Sequence, residues 1–150
     1  MSNAPYSTVV SPLNPSYIDF PLDSFLASSG TAQTATVGYC RYMVNGNQVS
    51  IEFKYQVLTV GTGNYRLNLP IPMIATIGGT NQKPQGIWFV RYSGGSGAQH
   101  LGNFGEVSST QIAMLAQTAF GGTPANFTSA SPNALVIGDF IHGQLNYEFA

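Results

Sequence analysis

A hairpin in the first third of the chain constrains the fold more than any other sequence feature. Residues 39–57 read YCRYMVNGNQVSIEFKYQV, and apolar and polar side chains alternate strictly beyond Asn45-Gly46. Asn-Gly between two such runs favours a two-residue type I′ turn, because both residue types tolerate the positive φ that this turn requires. Strict alternation is typical of a strand with one buried face. The sequence therefore predicts an antiparallel hairpin packed on a core.

The turn also predicts a register for this hairpin. With Asn45-Gly46 as the loop, the expected pairs are Val44 with Asn47, Tyr42 with Val49, and Cys40 with Ile51. Cys40 is the only cysteine in the chain, so no intrachain disulfide forms, and we expect its side chain to be a small buried apolar group. Arg41 falls on the outer face, diagonal to Glu52, where an ion pair across the strands is expected.

Further strand-like segments follow the hairpin, with turn residues between them. The predicted strands are residues 65–69, 86–92, 98–104 and 140–149, while residues 111–116 fit either a strand or one helical turn. The glycine-rich segment 93–97 is expected to be a turn, and residues 117–134 a long polar loop. Several short strands separated by turns predict an all-β fold, an antiparallel β-sandwich or jelly-roll-like barrel, in residues 35–150.

Residues 1–34 differ in composition from the rest of the chain. They are rich in Ser, Ala, Thr and Pro, and they carry four of the nine prolines. Proline fixes φ and favours extended backbone, so the sequence predicts an extended N-terminal arm with a short helical turn at residues 22–27. Large apolar side chains are the candidate contacts of this arm with a partner subunit: Tyr17, Ile18, Phe20, Leu22 and Phe25.

Charge is unusually scarce in this sequence. Asp, Glu, Lys and Arg make up 7% of the residues, whereas about 25% is typical of globular domains. An almost uncharged surface suits a subunit that is packed against others, since Lys and Glu are depleted at interfaces. The net charge is −1 and the basic residues are scattered, so no nucleic-acid partner is expected. No signal peptide or membrane-spanning segment is expected either.

No catalytic or metal-binding pattern is visible in the sequence. His100 and His142 are the only histidines, and neither has a second ligand at metal-binding spacing. We therefore expect no enzyme activity, no cofactor and no metal, and we expect His142 on the outer face of the last strand. Trp88 and Tyr92 lie near several amide side chains and are candidate contacts for a glycan. The alternative interpretation places Trp88 in the core.

Two segments and the C-terminus resemble modules of known proteins. Arg41-Tyr42, Gly46 and Val49 match the pattern G-R-Y-x-x-x-G-x-x-V after its first glycine, which Cys40 replaces, and residues 61–72, GTGNYRLNLPIP, match G-x-G-x-(Y/W)-R-(L/F)-x-L-P-x-P. Tyr147-Glu148 fits the Y-E near the end of the same modules. In this order and spacing, the chain resembles the β-rich modules of tailed-bacteriophage virion proteins.

This resemblance implies a non-enzymatic structural role in a virion. The expected function is capsid decoration or cement, or an accessory role in the neck or tail, by adhesion to capsid or tail proteins. The alternative is a receptor-binding module of a tail fibre that binds a host-surface glycan. The resemblance and the scarce charge together lead us to expect a homotrimer, made in the host cytoplasm without a signal peptide and located in the virion.

Overall fold

The computed structural model describes residues 16–74, 84–93, 99–117 and 122–149. The described residues form ten strands and one single-turn helix, and every strand pairing is antiparallel. In chain order the elements are β1 (Ile18–Asp19), α1 (Leu22–Phe25), β2 (Leu26–Ser28), β3 (Thr34–Asn45), β4 (Gln48–Thr59), β5 (Tyr65–Asn68), β6 (Gln85–Arg91), β7 (Gln99–Ser108), β8 (Gln111–Ala116), β9 (Ala125–Asn126) and β10 (Phe140–Glu148). The all-β antiparallel class predicted from the sequence is confirmed.

The strands form one sheet that is curled into a half-barrel. Its order is β1-β3-β4-β10-β6-β7-β8-β5-β2, with β9 paired to β8. The last strand, β10, lies between β4 and β6, so the first and last strands of the described chain belong to the same sheet. Residues 111–116, for which the sequence left two structures open, form a strand.

The β3–β4 hairpin forms at the predicted place, but its turn and register differ from the prediction. Asn45 pairs with Gln48, so Gly46-Asn47 is the loop, and the pairs along the strands include Cys40 with Phe53. Gly46 has a φ of 61°, whereas Asn47 does not have positive φ. Positive φ at the first loop position alone is the signature of a type II′ turn, not type I′. The shift leaves the same apolar face inward and sets Arg41 directly opposite Glu52.

Inward-facing side chains of the curled sheet form the core. The indole of Trp88 packs against Phe127, with ring centroids 4.5 Å apart, and Tyr65 meets the same phenyl ring edge-on at 5.3 Å. Gly102 lies on the strand next to Trp88, and a Cβ atom there would come within 2.2 Å of the indole. Phe127 therefore buries part of the segment 117–134, which was predicted to be a long polar loop. The largest fully buried side chains are Trp88, Tyr55, Tyr65, Phe25, Phe53, Phe127, Ile51, Leu67, Ile112, Met114, Ile141 and Leu145.

The described part of the predicted N-terminal arm belongs to the β-domain. β1 pairs with β3 at one edge of the sheet, and β2 pairs with β5 at the other edge. The helical turn α1 connects them, slightly shorter than predicted, and Phe25 and Leu26 are buried in the core. The boundary predicted between residues 34 and 35 is therefore wrong, because residues 18–28 supply both edge strands. Residues 1–15 lie outside the described part of the chain.

The loop after β2 is also held to the domain. The backbone N–H of Thr62 donates to the Thr31 carbonyl at 2.9 Å, and the Asn64 N–H donates to the Ser29 hydroxyl oxygen at 2.8 Å. Residues 29–33 therefore follow the surface of the sheet, and no free linker separates them from β3.

Candidate interaction surface

The outer face of the sheet carries two clusters of side chains that are candidates for function. The first lies where β1 meets β3, and we call it the edge patch: Tyr17, Val37, Tyr39 and Arg41. The second lies at the centre of the face, on β4, β10 and β6, and we call it the phenyl patch: Lys54, Phe89, Arg91, Phe140 and His142.

The edge patch is an exposed apolar surface with an arginine held between two tyrosines. The Arg41 guanidinium carbon lies 4.5 Å from the ring centroid of Tyr17 and 5.1 Å from that of Tyr39. Tyr17 is 45% exposed, and Val37, further along β3, is 67% exposed. Guanidinium groups stack favourably on aromatic faces, so the three side chains are mutually ordered.

Glu52, on the neighbouring strand, fixes this arrangement. Its carboxylate accepts a hydrogen bond from the Tyr39 hydroxyl at 2.7 Å and one from Arg41 Nη2 at 2.9 Å. These two bonds lower the pKa of Glu52, and the same contact raises the pKa of Tyr39. The predicted Arg41–Glu52 ion pair is confirmed. The charge of Glu52 is therefore already compensated within the patch.

The edge strand β1 leaves much of β3 uncovered. β1 pairs only with Arg41 and Tyr42, and the Phe20 N–H donates to the Cys40 carbonyl. β3 extends back to Thr34. Within the described residues, the stretch of β3 before Tyr39 has no strand on this side, and an exposed strand edge of this kind is a template for pairing with another chain.

The phenyl patch follows from the register of three paired strands. One row across the sheet is Lys54, His142 and Phe89, and the next row is Gln56, Phe140 and Arg91. The imidazole of His142 meets the Phe89 ring edge-on at 4.8 Å, and Lys54 Nζ lies 5.9 Å from the Phe140 ring centroid. The five side chains of the phenyl patch and Gln99 line a shallow open depression. Partial burial lowers the pKa of His142, and the charge of Lys54 lowers it further.

The residues predicted as partner contacts lie in different environments. Tyr17 is exposed in the edge patch, Ile18 is exposed on the opposite face of β1, and Phe20 and Leu22 are half-buried. Phe25 is completely buried against Phe53, with ring centroids 5.1 Å apart. The prediction of a partner contact is therefore wrong for Phe25, because its side chain is part of the core.

The residues predicted to contact a glycan are not available on the surface. Trp88 is 0% exposed, and its indole N–H donates to the Asn103 carbonyl at 2.9 Å. Tyr92 is also buried, and burial raises its pKa to about 12. The glycan prediction is therefore wrong for these two residues, and the core interpretation of Trp88 is the correct one. Asn81 and Gln82, whose amide side chains were among those that supported the glycan prediction, lie outside the described residues.

In the ranges that the structure describes, no three His, Cys, Asp or Glu side chains are grouped as a metal site would require. Cys40 is buried as predicted, and burial raises the pKa of its thiol to about 12. Within the same ranges, no helix is long and apolar enough to cross a membrane. His142 lies on the outer face, as predicted.

Comparison with known proteins identifies no relative. No protein-family model matches the chain, and neither the curated proteins nor the solved structures give a significant match.

Proposed function

We propose that this chain is a non-enzymatic structural subunit of a phage virion that assembles with copies of itself through its edge patch and adheres to capsid or tail proteins. Its place would be capsid decoration or cement, or an accessory position in the neck or tail. The observation that carries the proposal is the exposed, preorganised stack of Tyr17, Arg41 and Tyr39 beside an uncovered length of β3. The virion setting is supported by the resemblance of residues 41–72 to phage modules.

The edge patch has a residue composition typical of a protein–protein interface. Tyr and Arg are enriched among the residues that dominate binding energy, and charged residues are depleted from interface centres. Glu52 accepts hydrogen bonds from Tyr39 and Arg41, and the second carboxylate here, that of Asp19, lies opposite Arg41 in the β1–β3 register. Burial by a partner would therefore cover few charges that lack a counter-charge, which keeps the desolvation cost low.

The partner that we propose for the edge patch is a second copy of the same chain. The patch lies at one end of the sheet, and a contact between it and a different surface of the next copy generates a closed ring when the rotation closes. A homotrimer is the simplest assembly of this kind that agrees with the resemblance.

Sedimentation velocity of the full chain tests this proposal. We expect a trimer at micromolar concentration, and we expect Tyr17→Ser to weaken association by at least about tenfold, since truncating a central interface side chain typically costs 2 kcal/mol or more. Val107→Ser is the matched control, because Val107 is exposed to a similar degree on β7, away from β1. A chain that remains monomeric, or equal weakening by both variants, would contradict an assembly role for the edge patch.

A further inference from the structure

Neither cation of the phenyl patch forms an ion pair among the described residues, and the buried carboxylate of Asp139, next to Phe140, accepts hydrogen bonds from Ser93 and from the Val136 N–H. Lys54 and Arg91 are exposed and flank the depression, and its other lining residues are aromatic or amide side chains. The nearest acidic residue along β4 is Glu52, which is bound to Tyr39 and Arg41. In a chain with five Lys and Arg residues, two cations without an ion pair at one depression are a distinct local feature.

The floor between the cations is apolar and rigid. Phe89 and Phe140 are half-buried on strands that are paired on both sides, so their rings are held by the sheet. Lys54 and Arg91 lie two strands and two residues apart, a separation of roughly 12 Å from strand spacing and rise, on the order of two sugar rings. Gln99 adds an amide at the rim.

We propose that the phenyl patch binds a saccharide that carries carboxylate groups, such as a chain of uronic acids. The C–H faces of the sugar rings would lie on Phe89 and Phe140, and the carboxylates would be bound by Arg91 and Lys54. Arginine binds a carboxylate through two parallel N–H···O bonds, which gives this recognition its geometry. The proposed site adjoins the edge patch, since Tyr39 lies directly opposite Lys54, and the proposal does not rest on the virion role.

Other anionic partners fit this surface less well. Nucleic-acid affinity depends on neutralising many phosphates, and the patch offers two cations in a chain of net charge −1. An acidic peptide that adds a strand needs a free sheet edge, whereas β4, β10 and β6 each have a neighbour on both sides.

Titration of the full chain with digalacturonate, followed by amide chemical shifts, tests the proposal. The expected dissociation constant is on the order of 1 mM, with the largest shifts at Phe89, Phe140 and His142. Galactobiose, which lacks the carboxylates, and glutarate, which lacks the sugar rings, should each bind at least about tenfold more weakly. A single-stranded oligonucleotide and a short polyglutamate peptide are titrated in parallel.

Substitutions of Arg91 and Lys54 test whether digalacturonate binds at the phenyl patch. Arg91→Gln and Lys54→Gln should each weaken digalacturonate binding by about tenfold, and Arg91→Lys should recover only part of the loss. Arg66→Gln is the matched control, because Arg66 lies on β5 and bonds to Gln111 outside the patch. The proposal is overturned by absent binding, by equal binding of either matched ligand, by tighter binding of the oligonucleotide or the peptide, or by unchanged binding in both patch variants.

Discussion

Replacing Phe25 by alanine tests whether the N-terminal segment is part of the folded domain. The Phe25 ring is 0% exposed and contacts Phe53 at 5.1 Å and Phe20 at 6.1 Å between ring centroids. Removing a buried phenyl ring costs about 3–5 kcal/mol, from lost burial and from the cavity that remains. A domain of this size has about 5–15 kcal/mol of total stability, so the loss should be a large fraction of it.

Urea denaturation followed by circular dichroism measures this loss. Phe25→Ala should lower the unfolding midpoint with an unchanged slope, which indicates lost stability without a change in the denatured state. Ile18→Ala is the control: Ile18 lies in the same segment but is 49% exposed, and exposed substitutions usually stay within about 0.5 kcal/mol. A loss below about 1 kcal/mol for Phe25→Ala would refute the core placement and restore the arm as a free docking segment.

Three further predictions address the turn, the outer face and the buried thiol. Gly46→Val should cost about 1–3 kcal/mol of stability from its positive φ, while Asn47→Val at the adjacent position should cost clearly less; equal losses would exclude the type II′ turn. NMR titration should give His142 a pKa below 6.5, raised by Lys54→Gln but still below 6.5 because partial burial remains. Because that pKa is lowered in the folded state, the contribution of His142 to stability is complete above the unfolded pKa and is lost as the pH falls through the folded pKa. An unchanged pKa of His142 in Lys54→Gln would contradict the electrostatic effect of Lys54 on the imidazole. Cys40 should resist alkylation at about pH 8 in the native protein and react once unfolded, so rapid labelling of native protein would contradict its burial.

The hairpin could be predicted from the sequence because its signals are local. Alternation and the Asn-Gly pair are properties of adjacent residues, and they located both strands and the inward face correctly. The register was wrong because Asn45-Gly46-Asn47 offers two overlapping two-residue loops. Moving the loop by one residue shifts each cross-strand partner by two residues, which keeps the same face inward. The alternation alone therefore could not distinguish between the two loops.

The N-terminal segment could not be predicted in the same way. β1 and β2 have two and three residues, which is too short for a periodic pattern. Both are defined by pairing with distant strands, and the prolines of this segment suggested an extended arm. The large apolar side chains were predicted to contact a partner subunit, but Phe25 is buried in the chain's own core.

The phenyl patch was missed for a related reason. Alternation on β6 puts Trp88 inward and Phe89 outward, and the same rule applied to the last strand places Phe140 and His142 outward. This signal was present in the sequence. The position of β10 between β4 and β6 could not be read from the sequence, because it depends on long-range pairing. Only that pairing brings Lys54 and Arg91 to the two sides of the phenyl rings.

Quantifying the chain on purified virus particles tests the proposed structural role most directly. Particles produced from the genome that encodes the chain are purified by density gradient, and the chain is counted by quantitative mass spectrometry against the major capsid protein. The account predicts a fixed number of copies per particle, in the hundreds for capsid decoration and a handful for the neck or tail, and fewer copies for Tyr17→Ser than for Val107→Ser. A chain that remains in the soluble fraction and is absent from purified particles would contradict the account.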